Sequence, residues 1–112
     1  MTRLLPVLLI WLFAFTGSAA AHDAAAIDKG KQVYAAQKCQ VCHSVAGVGN
    51  KKGALDDVGA RLKEAEIRQW IVAAPEMTAR GKAERKPPMK SYSHLPKDEL
   101  DALVAYLASL KK

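Results

Sequence analysis

Cysteine is scarce in this sequence: among 112 residues, Cys39 and Cys42 are the only two. Two thiols are too few for a multi-bridge disulfide scaffold or a second C-x-x-C zinc half-site. Aromatic residues make up only 6% of the chain, so little ring bulk is available for a core. No segment alternates apolar and polar residues with period two, and no strand is expected. No apolar run reaches the roughly 20 residues that a membrane-spanning helix needs. Internal repeats, low-complexity linkers and nucleic-acid motifs are also absent. The length leaves room for one domain.

What is present begins with the N-terminus. Arg3 is followed by the apolar run LLPVLLIWLFAF, and then by the small residues of TGSAAA. This order of charge, apolar run and A-x-A-like site at Ala19-Ala20-Ala21 predicts a cleaved secretory signal over 1–21, with the functional domain at 22–112. Export to a periplasm follows. An uncleaved anchor is the alternative; a lipid anchor has no cysteine acceptor at the cleavage point. Cleavage removes Trp11, Phe13 and Phe15, leaving Trp70, Tyr34, Tyr92 and Tyr106 as the aromatic residues. A domain of about 90 residues with so few rings is near the size where a core alone is marginal, so a bound group is expected to fill part of the interior. The formal charge falls from +6 to +5, because Arg3 is the one charge lost. This basic balance suits an acidic protein partner, with a merely solvated basic surface as the alternative.

Helix patterns cover 24–39, 62–74 and 96–112. Gly30, Val33 and Tyr34 share a face of the first; Leu62, Ile67, Trp70 and Ile71 lie on one side of the second. Pro75 is expected to end the second helix, since the residue before proline avoids helical geometry. Pro96 suits the first turn of the last helix, with Asp98 and Glu99 at its positive end and Lys111 and Lys112 at its negative end. Leu100, Leu103, Val104, Leu107 and Leu110 form its apolar stripe. The glycine-rich 44–59 reads as loop. Residues 75–95, with Pro87, Pro88 and several cations, read as mostly irregular.

The two cysteines stand in KCQVCHS, residues 38–44, directly before His43. Four chemistries use such a segment. A structural disulfide across so short a loop would constrain little of the chain. A thioredoxin-like pair calls for a βαβ context that this helical pattern lacks. Structural zinc needs four ligands, and only His22 and His94 remain as further histidines. Covalent attachment of c-type haem matches the C-x-x-C-H spacing. Both sulfurs and the imidazole then meet the macrocycle from one side, and one haem c with its iron is expected per chain.

A second axial ligand would come from another segment. Met89 follows Pro87-Pro88, which stiffen the backbone around a thioether. Met77, after Pro75, and His94 are the other candidates, and an open sixth position is a further possibility. A lone Met otherwise fills gaps in a core, and a lone loop His is otherwise solvated.

Taken together, these pieces resemble a small class I c-type cytochrome of the exported bacterial monohaem kind, over about residues 27–110. GKQVY supplies Gly30 and Tyr34 of a first helix, CQVCH the haem site, and KGALDDVGARL the following loop. IRQWI supplies the middle helix, PPMKSY the segment with the axial Met, and LDALVAYLASL the closing helix with Leu103 and Tyr106. The resemblance implies an all-α cytochrome c fold of three to four helices wrapped around one covalently bound haem. The N- and C-terminal helices cross, with Gly30 allowing their close approach. It also implies that Cys39 and Cys42 carry the haem and that His43 and Met89 are its axial ligands. Two departures stand out. Ala54 occupies a position where the family often has proline, whose carbonyl accepts the Nδ1–H of the ligand histidine. Leu95-Pro96 replaces a polar cap before the last helix.

The function implied is single-electron transfer between redox protein partners. Lys38, Lys51, Lys52, Arg85, Lys86 and Lys90 flank the segments expected to approach the haem and suit an acidic docking surface. The alternatives are a haem c subunit of a larger periplasmic dehydrogenase complex, or a small haem peroxidase or ligand sensor if the sixth position is open.

Overall fold

The computed structural model describes residues 24–81 and 85–112. The expected signal segment 1–21 and His22 lie outside them. Five α-helices run in the order α1 (Ala24–Ala36), α2 (Val58–Arg61), α3 (Glu64–Val72), α4 (Ala74–Gly81) and α5 (Lys97–Ala108). Single 3-10 turns at Cys39–Val41 and Lys51–Gly53 flank a hairpin of β1 (Ser44–Val45) and β2 (Val48–Gly49). The architecture is all-α, as expected, with five α-helices among the described residues where three to four were anticipated.

The fold is organised on the crossing of α1 and α5. Gly30, Val33 and Tyr34 are the buried face of α1. A side chain at position 30 would collide with the Ala102 carbonyl and the Tyr106 Cβ. Glycine at this position is therefore what lets the two backbones meet. The rings of Tyr34 and Tyr106 meet edge to face beside it, 5.7 Å apart at 81°. Lys29 Nζ pairs with Asp98 at 2.6 Å along the exposed margin.

Helix α5 is buried more widely than its leucine stripe suggests. Every residue from Ala102 to Leu107 is buried, because α1, α2 and α3 pack around it. Its N-cap is Pro96, which makes no side-chain capping bond. The helix ends at Ala108, so Lys111 and Lys112 lie beyond its last turn rather than within it. The tail is held instead by α2 and its approach. Gly59 N–H donates to the Leu110 carbonyl at 2.8 Å, and Lys112 N–H to the Asp56 carbonyl at 3.0 Å.

Helix α3 sits on α5 through Ile67 and Ile71, which are 2% and 3% exposed. Arg68 donates to Asp101 at 2.7 Å. Trp70 is half-buried, and Leu62 belongs to the end of α2 rather than to this face. Pro75 does end the α3 pattern, but α4 begins at once. Proline is well tolerated in a first turn, where its missing N–H has no partner to lose. The irregular reading of 75–95 is therefore corrected over Ala74–Gly81.

The loop reading of 44–59 is corrected in the same way. Ser44 pairs with Gly49 and Val45 with Val48 in an antiparallel hairpin. Ala46 and Gly47 make its two-residue turn, with φ of 51° and 80°. Two positive φ values suit the right-handed twist of a tight hairpin. Among the described residues, no helix is long and apolar enough to cross a membrane.

Candidate functional site

The site starts where α1 ends. Lys38 adopts a left-handed conformation, φ 58° and ψ 36°, and turns the chain into the 3-10 turn Cys39–Val41. The Cys39 carbonyl then accepts from both the Cys42 and His43 amides, at 3.1 and 2.9 Å. Residues three apart eclipse one another in such a turn. The backbone thus places Cys39 and Cys42 on one side, and His43 follows directly. Both cysteines are half-buried free thiols. Burial pushes the Cys39 thiol up to about 11, so it is held neutral at physiological pH, unlike the activated thiolate of a redox pair.

His43 is oriented by its backbone neighbour. Its Nδ1 lies 2.9 Å from the Gly53 carbonyl. A carbonyl only accepts, so Nδ1 carries the proton and Nε2 keeps its free lone pair. Burial holds the imidazole below its ordinary pKa, which favours the neutral, ligating form. The acceptor is Gly53 rather than Ala54, which corrects the expected position by one residue. The 3-10 turn Lys51–Gly53 aims the Gly53 carbonyl at the ring, and the Asn50 side chain caps that turn by accepting from Lys52 N–H at 3.0 Å.

Met89 is half-buried on the segment that follows α4. Two bonds tie this segment to the end of α3. The Ser91 hydroxyl donates to the Val72 carbonyl at 2.6 Å, and Tyr92 N–H donates to the Ile71 carbonyl at 2.8 Å. Arg85, at the start of this segment, lays its guanidinium against Gly53, next to the Cys42 carbonyl and His43 Nδ1. Burial raises the Tyr92 hydroxyl above its ordinary pKa. Lys90 Nζ sits 5.2 Å from the centre of the Tyr92 ring. The structure thus brings Cys39, Cys42 and His43 together and seats Arg85, four residues before Met89, against Gly53 beside them. Met77 is half-buried on α4, and His94 is exposed beside Tyr92, 6.1 Å between rings.

Two buried polar atoms at this site have no hydrogen-bond partner: the Tyr34 hydroxyl and Gln40 Oε1. Gln40 stands between the cysteines, and Tyr34 is the last buried residue of α1 before them; burial raises its hydroxyl to about 12. Unpaired thiols on one side of a turn, a neutral imidazole with Nε2 free and orphaned polar atoms beside them fit a covalently attached haem. Among the described residues, no group of three or more His, Cys, Asp or Glu is placed to hold a bare metal ion.

Sequence reasoning did not find Gly53 or Tyr92 as parts of this site. Gly53 has a local signal only in hindsight, in its spacing from His43. Tyr92 joins the site through a long-range contact that leaves no local pattern.

The family model described as Cytochrome c matches residues 27–111. Cytochrome c oxidase subunit 2 of Alkalihalophilus pseudofirmus is 29% identical over 93 residues, covering 75% of this chain and 25% of the relative. The chain thus spans about a quarter of that relative's length. No solved structure matches the chain.

Proposed function

The chain belongs to the cytochrome c family, whose domain holds covalently bound haem c and serves electron transfer, and on that footing we propose an exported electron carrier with His43 and Met89 as the two axial ligands. When bound, the haem supplies a one-electron couple at its iron. Cys39 and Cys42 hold it by thioether bonds to its vinyl groups. His43 presents Nε2, oriented by the Nδ1–H bond to Gly53; such an outer bond fixes the ring and tunes the ligand. Met89 presents its thioether from a segment braced by Ser91 and Tyr92; Met opposite His raises the potential. Two protein ligands leave no position for a substrate, which suits a carrier rather than an enzyme.

The observation that carries this reading is the single turn that sets both thiols on one side, next to an imidazole with its Nδ1 already bonded. The five lysines and one arginine on the two flanking segments, Lys38, Lys51, Lys52, Arg85, Lys86 and Lys90, are all exposed. They support transient docking to an acidic redox partner. The signal-like N-terminus supports a periplasmic location. A second reading is favoured by the likeness to an oxidase subunit: the domain acts as the haem-bearing part of a larger redox complex. Visible spectra of the haem-loaded protein, ferric and ferrous, test the proposal. Low-spin, six-coordinate iron with an iron–sulfur band is expected; a high-spin ferric spectrum would overturn the His/Met assignment.

A further inference from the structure

Gly53 is the meeting point of three polar groups. A Cβ there would collide with Arg85 Nη1 and with the Cys42 carbonyl, and would stand 2.9 Å from His43 Nδ1. Glycine leaves this face of the backbone bare, and the guanidinium settles against it. The carbonyl of the same residue accepts the His43 Nδ1–H. A side chain more than 30 residues away in sequence therefore reaches the hydrogen bond that orients the proposed ligand.

We propose that Arg85 is a positioning residue for His43: seated on Gly53, its guanidinium sets the charge environment of the ligand and biases the bound cofactor toward its reduced form. The inference rests on the reading of His43 as an iron ligand. A hydrogen bond from Nδ1–H to a carbonyl makes the imidazole a stronger donor, which favours the more positive oxidation state. The guanidinium on Gly53 opposes this through space. The ferric centre carries one more positive charge than the ferrous centre, and a fixed neighbouring cation raises the energy of the ferric form.

Arginine suits this task better than lysine for a local reason. Its planar guanidinium can lie flat on a bare glycine. Arg85 is itself exposed, so water and salt screen its charge. The expected effect is modest, about threefold in the ferrous-to-ferric equilibrium, or about 30 mV at 59 mV per tenfold for one electron.

The test is a spectroelectrochemical titration of the haem-loaded full chain, with Arg85→Gln and Arg85→Lys beside the unsubstituted protein, at low and high salt. Arg85→Gln should shift the equilibrium about threefold toward ferric while keeping a low-spin spectrum, and the shift should shrink as salt rises. Arg85→Lys should recover most of the original potential. If Arg85→Gln folds poorly, Arg85→Met, which keeps an apolar stem, makes the same comparison. Unchanged potentials in the neutral variants overturn the inference. Equal losses in the Lys and Gln variants overturn it too, since shape rather than charge would then matter. A haem-loaded unsubstituted protein without low-spin iron overturns the ligand reading and this inference with it. A normal low-spin spectrum with an unmoved Arg85→Gln potential defeats the Arg85 inference alone.

Discussion

The Ser91 hydroxyl donates to the Val72 carbonyl at 2.6 Å, two residues from Met89. Carbonyls at a helix end have no partner within the helix, so Ser91 stabilises α3 and fixes the Met89 segment together. Replacing Met89 with Ala should remove the iron–sulfur charge-transfer band, lower the potential and permit peroxide chemistry at the opened position. Optical and peroxidase assays read all three. A band that survives Met89→Ala would move the assignment, and Met77→Ala and His94→Ala are then the comparisons. Ser91→Ala should cost about 1 kcal/mol of stability, and the band should bleach at lower temperature than in the unsubstituted protein.

Gly30 offers a sharper stability test. An Ala methyl there has no room between the Ala102 carbonyl and Tyr106. Both obstacles lie on the backbone or at the root of a side chain of α5, so neither can swing aside. Helix propensity alone would favour Ala by about 1 kcal/mol. Overpacking should reverse that sign and destabilise the haem-loaded protein by roughly 2–3 kcal/mol in denaturant titrations. A neutral or stabilising Gly30→Ala would mean that α1 and α5 meet less closely than described.

The helical spacing of Gly30, Val33 and Tyr34, and of the apolar stripe in the closing segment, made the buried faces of α1 and α5 legible; that the two helices cross came from the family resemblance. The cysteine turn was legible because its chemistry-bearing residues, Cys39, Cys42 and His43, fall within five positions. Helix α4 was missed for a physical reason. Pro75 both stops α3 and suits the first turn of the next helix, and the stopping role was the one read. The hairpin was missed because two-residue strands are too short to alternate. The expected histidine partner fell one residue from Gly53, since the direction of a carbonyl depends on backbone dihedrals that residue types alone leave open. Arg85 on Gly53 joins segments far apart, and only the folded chain brings them together.

Ala46 is a local misfit that predicts a gain. It holds φ 51° in the hairpin turn, where an L-residue other than Gly or Asn is strained by roughly 1–2 kcal/mol. Ala46→Asn relieves part of this and matches the Asn-Gly preference of such turns, since Gly47 follows. Its amide still donates to Asp56 Oδ1, now at 2.7 Å, because that bond needs only the backbone. Stability should rise by roughly 0.5–1 kcal/mol in chemical denaturation, with an unchanged visible spectrum. A loss of stability would show that the turn differs from the one described.

Haem should be part of the core rather than an addition to it. The hydrophobic cluster of buried residues contains no Phe and no Trp, and its aromatic members are Tyr34 and Tyr106. Cys39→Ala with Cys42→Ala prevents attachment, and the resulting chain should be largely unfolded. Trp70 fluorescence, quenched by haem in the loaded protein, should then increase. A well-dispersed NMR spectrum from the haem-free double variant would show that the polypeptide core suffices.

Partner choice should depend on charge. Lys38, Lys51 and Lys52 flank the cysteine turn and the His43 acceptor, and Arg85, Lys86 and Lys90 flank Met89. Both sets lie on segments that meet at the site, so an acidic partner approaching the haem would meet cations on two sides. Charges of this kind steer encounter more than they strengthen the complex. Steering is screened over about 8–10 Å at ordinary ionic strength, so the bimolecular transfer rate should fall as salt rises. The reversal that isolates docking is Lys51→Glu with Lys86→Glu. Lys90 is the poorer choice, because it adjoins Met89 and leans on the Tyr92 ring. The double reversal should slow transfer to an acidic partner about tenfold or more at low salt, with the low-spin spectrum retained. The difference should vanish at high salt, where only contact geometry remains. Stopped-flow rates that stay flat across the salt series, for both proteins, would mean that these lysines serve solubility and that the docking face lies elsewhere.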